Sequence, residues 1–172
     1  MMAIRRVVRA LLDLPFPSVV WLLPVAFTLH NAEEWIWLPG WSAEGFRTPP
    51  RSAELRFALV VLTSAVWVIA FFASRSRAGG AAVYAAVAAA AIILLNVLFP
   101  HVLATVVFGQ YAPGVVTAVV INAWAMPLVL RAAFRDGLAT IRGGAYATIV
   151  ACIVTPLSLP FLFHLGGWLA PP

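Results

Sequence analysis

The sequence predicts an all-α membrane protein, a polytopic bundle of five transmembrane helices forming a single domain over residues 1–172. Three observations carry this. Of the 172 residues 63% are hydrophobic and only 10% charged, more apolar surface than one soluble core of this size can cover. Five apolar runs are each long enough to cross about 30 Å of hydrocarbon as a helix. The charges collect in the short segments between those runs.

The first helix is expected near residues 18–38. It follows a basic, signal-like start, "MMAIRRVVR", but no small-x-small cleavage site comes after it and the run continues into polar residues, so it reads as a retained helix. The second is expected near 55–73. The third, near 80–109, opens on "AAVYAAVAAAAIILL", whose small side chains let helices approach closely, and this predicts a central position. Pro100 lies inside it and should kink or locally open it. The fourth, near 113–134, begins after a tight turn through Tyr111, Pro113 and Gly114, and the fifth is expected near 145–169. Cys152 is the lone cysteine, so no intramolecular disulfide can form.

Orientation follows from the arginines, which number 11 against 6 acids. Arg5, Arg6 and Arg9 precede the first helix, Arg75 and Arg77 follow the second, and Arg131, Arg135 and Arg142 lie at or beyond the end of the fourth. Placing the N-terminus in the cytoplasm puts all of these inside and leaves Arg47, Arg51 and Arg56 outside. The basic residues are therefore topology signals, and no nucleic-acid partner is expected.

Against this apolar background the stretch "FTLHNAEEWIWLPGW" stands out. A charged side chain within the bilayer costs at least about 2.5–3.5 kcal/mol, so adjacent glutamates there need partners. At about 1.5 Å rise per residue, His30, Glu33 and Glu34 fall roughly 6–12 Å from the outer end of the first helix. His101, Asn96, Asn122 and His164 fall in the same outer half on three other helices. His30, Glu33 and Glu34 lie within an arc of about 100°, so they can face one centre. Asn96 and His101 are about 140° apart on a straight helix, and both face that centre only if Pro100 bends the backbone.

Two chemistries suit such a centre. In the first, His30, Glu34, His101 and His164 ligate a divalent metal, zinc or iron, with Glu33 as general base or outer support and Asn96, Asn122 and Tyr111 as supporting polar groups. In the second, metal-free reading, Glu33 or Glu34 is a general acid for an apolar substrate, and Trp35, Trp37 or Trp124 faces a carbocation. A third reading is non-catalytic binding or transport of a small ligand. In each case the expected partners are membrane lipid and a hydrophobic small molecule; the oligomeric state is left open.

The ordered set "HNAEE", "NVLFPH" and "QYAPGVVTA", followed by Pro127, resembles the HXXEE family of small bacterial membrane proteins. The resemblance covers most of the chain and implies a multi-pass protein of the bacterial inner (cytoplasmic) membrane, with no established activity to carry over. A looser similarity is to emopamil-binding protein and related membrane isomerases and cyclases, whose histidine and glutamate, four apart before an aromatic residue, are imitated by His30, Glu34 and Trp35.

Overall fold

The computed structural model describes residues 12–169, and these fold into helices joined by short turns. Arg5, Arg6 and Arg9, on which the predicted orientation partly rests, lie outside the described residues. The helices are α1 (Phe16–Val19), α2 (Leu22–Gly45), α3 (Ser52–Ala73), α4 (Ala81–Phe108), α5 (Val115–Arg135) and α6 (Ile141–Leu169). Among the described residues four helices, α3 to α6, are long and apolar enough to cross a membrane. Five were expected. At 24 residues α2 is long enough, but His30, Asn31, Glu33 and Glu34, together with Pro24 and Pro39, dilute its apolar character.

α4 occupies the centre, packing against α2, α3, α5 and α6. Its alanines explain this: Ala86 and Ala90 are fully buried beside Val83 and Val87, and small side chains let neighbouring backbones come close enough for dense van der Waals contact. Such contact is the main attraction between helices in lipid, where apolar burial alone gains little. At the base of the bundle Phe16, Leu23, Met126 and Val129 close the same core. The chain is pinned there by Asp136, whose Oδ2 accepts the Phe16 N–H at 2.7 Å, while Arg135 donates to the carbonyls of Leu12 and Leu14.

Two helices carry irregular turns. In α4 residues 97–102 adopt a π-helical register and Phe99 leaves helical geometry altogether (φ −129°, ψ 116°), directly before Pro100, which has no N–H to donate and disfavours helical geometry in the residue before it. In α5 residues 118–122 are π-helical as well. Between them Gly109 (φ 64°) and Gly114 (φ 86°) reverse the chain, and this turn folds over the upper half of α2. α2 itself runs past its predicted end at Leu38 through Pro39 to Gly45, where the Ser42 hydroxyl donates to the Pro39 carbonyl.

Candidate metal centre

The break at Phe99 does what a straight helix could not. It swings His101 back so that its Nε2 lies 2.9 Å from the Asn96 amide nitrogen, and the two residues meet on one side of α4. His30, on the facing side of α2, lies edge-on to His101 with ring centroids 4.7 Å apart. One turn further along α2, Glu34 Oε1 stands 3.7 Å from His30 Nε2 and 3.6 Å from His101 Nε2. Both imidazoles are buried, at 1% and 3% exposure, and Glu34 is nearly so.

The other edge of each ring is held from behind. Glu33, 100° around the helix from Glu34, turns towards the 111–117 turn rather than into the centre. Its Oε1 accepts from the Tyr111 hydroxyl and, at 3.3 Å, from the Val116 N–H; its Oε2 accepts from the Thr117 N–H at 2.8 Å and the Thr117 hydroxyl at 2.6 Å. Since the Thr117 hydroxyl gives its proton to Glu33, it can only accept from His30, whose Nδ1 lies 3.0 Å away. This assigns the proton of neutral His30 to Nδ1 and leaves an unshared pair on Nε2. That Nε2 is buried and has no hydrogen-bond partner. The backbone of Gly114 and Pro113 lies close against the His30 and His101 rings. Tyr111, in the turn outside the apolar spans, is held above its usual pKa by desolvation and then by its bond to Glu33, so it remains a donor.

Among the described residues, His30, Glu34 and His101 form a group whose ligand atoms all lie within 4.8 Å of one another. Ligands at about 2.0–2.1 Å around a tetrahedral ion stand roughly 3.3 Å apart, so the two measured edges need close by only a few tenths of an ångström. The donor set, two imidazoles and a carboxylate, suits zinc or iron, and the orphaned Nε2 is the atom an ion would satisfy. The Asn96 amide N–H points at the lone pair of His101 Nε2, the place of a cation on that atom, and an ion would take over this contact.

His164 and the three tryptophans of the expected site stand apart from this group. His164 is exposed on α6, near the Glu54 end of α3, and is not part of the group. Asn122 is fully buried in α5 with neither amide atom hydrogen-bonded. Trp35, Trp37 and Trp124 are exposed, none lines the cavity beside the centre, and Trp35 instead carries the Arg56 guanidinium 5.1 Å from its ring centroid. Thr117 and Gly114 belong to the centre although the sequence reading gave them no chemical role. A Cβ on Gly114 would stand 2.7 Å from Cε1 of both histidines, so the turn can press on the two rings only because this residue has no side chain.

Residues 21–128 match the family model described as a protein of unknown function with HXXEE motif. The chain belongs to the HXXEE family. The matched segment contains every residue of the centre and stops short of α6 and His164. A relative is the uncharacterized protein YrkK of Bacillus subtilis (strain 168), 34% identical over 148 residues, which are 85% of this chain and 94% of that protein. No solved structure matches the chain. The looser likeness to emopamil-binding protein gains no support from these comparisons.

Proposed function

We propose that this protein is a metal-assisted enzyme of the bacterial inner membrane, acting on a lipid or isoprenoid-like substrate that enters from the bilayer. One observation carries the reading: the convergence of His30 Nε2, Glu34 Oε1 and His101 Nε2, with the first of these buried and unpartnered. His30, Glu34 and His101 would hold a divalent ion, which would supply Lewis acidity toward a substrate oxygen. With three protein ligands the set matches that of catalytic zinc sites, which keep one position open, whereas structural sites use four.

The surrounding residues orient this set. Glu33 acts from outside it, because all its contacts are spent on Tyr111, Val116 and Thr117, and through Thr117 it fixes the His30 tautomer. This favours support over general-base work for Glu33. The cavity beside the centre is lined almost wholly by apolar side chains, which supports a hydrophobic substrate. α2 completes the bundle as a fifth span, with the N-terminus inside. Arg75, Arg77, Arg131, Arg135 and Arg142 at one end of the bundle, against Arg47, Arg51 and Arg56 at the other, support that orientation.

Metal analysis of detergent-purified protein tests the reading. Stoichiometric zinc or iron that is lost in His30→Ala and His101→Ala supports it. A metal-free preparation that is folded and takes up no zinc or iron when supplied overturns it.

A further inference from the structure

The cavity that receives the centre is much larger than the centre needs. It has a volume of about 980 Å³ and runs between α2, α3, α4 and α6. Its polar groups are unevenly placed: His30, Asn31, Glu34, Asn96 and His101 gather at one level. From Asn96 towards the base, the α4 wall is Ile92, Ala89, Ala88, Ala85 and then Tyr84, and the facing α6 wall is Val154, Ala151, Val150 and Ala147. Ala81 marks the far end on α4, about 22 Å below Asn96 at a helical rise of 1.5 Å per residue. A second apolar hollow of about 330 Å³ shares Trp41, Phe46, Pro100 and Ala104 with the first.

We infer that this groove seats one straight apolar chain carrying an oxygen-bearing head, with the head at His30, Glu34 and His101, the tail along the alanine wall of α4, and the groove's length setting the longest chain accepted. The inference deepens the proposed function and rests on its hydrophobic-substrate reading, not on the identity of the ion. The polarity of the lining matches such a molecule end for end: one cluster of hydrogen-bonding and ligating groups, then a long stretch able to offer only van der Waals contact. The alanines on α4 and α6 leave room for an extended chain between the helices, with no polar group along its path until Tyr84, apart from Thr155 on α6.

The wall predicts a graded result. Ala89 lies about 10 Å and Ala85 about 16 Å below Asn96, so a tryptophan at either position plugs the groove at a different depth. The probe is a homologous series of straight-chain carboxylates added to the full-length protein in detergent, with retention read by native mass spectrometry and fold by helicity and monodisperse elution. The expected result is retention that rises with chain length to a limit, a shorter limit in Ala85→Trp, and a still shorter one in Ala89→Trp. Leu157→Trp, on the exposed side of α6, should leave the limit unchanged. Should one α4 variant fail to fold, Ala151→Phe on the opposite wall provides the same test. Equal limits in all variants, an equal effect from Leu157→Trp, or equal retention of a rigid fused-ring carboxylate would overturn the inference. Metal content is measured separately on each sample. A length limit in folded protein that takes up no zinc or iron when supplied sinks the metal reading alone, and bound metal without a length limit sinks the groove alone.

Discussion

Replacing Gly114 by alanine should damage the centre without touching any ligand. The residue sits at φ 86°, a left-handed conformation that costs an L-residue with a Cβ about 1–2 kcal/mol. The new methyl would lie 2.7 Å from Cε1 of His30 and of His101, about 0.7 Å inside an ordinary 3.4 Å contact. Relief requires both rings, or the turn, to move by most of that distance. Metal sites tolerate displacements of about 0.5 Å at most, and loss of the groups that orient ligands typically weakens binding 10- to 100-fold. The expected outcome is therefore a 10- to 100-fold weaker zinc affinity, measured by chelator competition in detergent, with a modestly lower thermal midpoint. Zinc affinity within twofold of the parent protein would refute the reasoning, since it would mean that the turn does not bear on the rings.

Thr117→Val removes the hydroxyl that joins Glu33 to His30 and should weaken zinc binding about tenfold, whereas Thr117→Ser should restore it; chelator competition reads both. Glu33→Gln turns one of two oxygens, which together accept four hydrogen bonds, into a donor, and should lower stability by about 1–3 kcal/mol, seen as a reduced thermal midpoint in detergent. Acidification should release the ion, because binding requires Nε2 of both histidines unprotonated and Glu34 ionised; equilibrium dialysis across a pH series would show affinity falling as pH falls. Asp136 lies beyond the end of α5, and its bonds to Arg135 and then to the Phe16 N–H hold its carboxyl below the usual range. A depressed carboxyl stabilises the fold above the unfolded pKa and loses that contribution as pH drops through the folded one. Asp136→Asn should thus speed hydrogen exchange around α1 at neutral pH, with the difference from the parent shrinking in acid.

The order and type of the helices were legible because long apolar runs admit few alternatives in lipid, and the alanine stretch of α4 foretold its central place. His30 and Glu34 were legible because ionisable groups in such a run demand partners. What decided between the two glutamates was not in their own helix. Glu33 is claimed by Tyr111 and Thr117, residues whose distance from it in sequence hides that the turn before α5 folds back over α2. Rise per residue gives depth but not which way a side chain points, which is why His164 shared the expected level and yet stands exposed on α6. Gly114 read as an ordinary turn residue, since its close approach to both imidazoles exists only once three elements are assembled.

The central claim is tested most directly by anomalous scattering at the zinc edge from crystals of zinc-loaded protein. The account predicts one strong peak within about 2.0–2.2 Å of His30 Nε2, His101 Nε2 and a Glu34 oxygen. A map with no peak between these three side chains, or with zinc bound only at His164 or the surface, would contradict it.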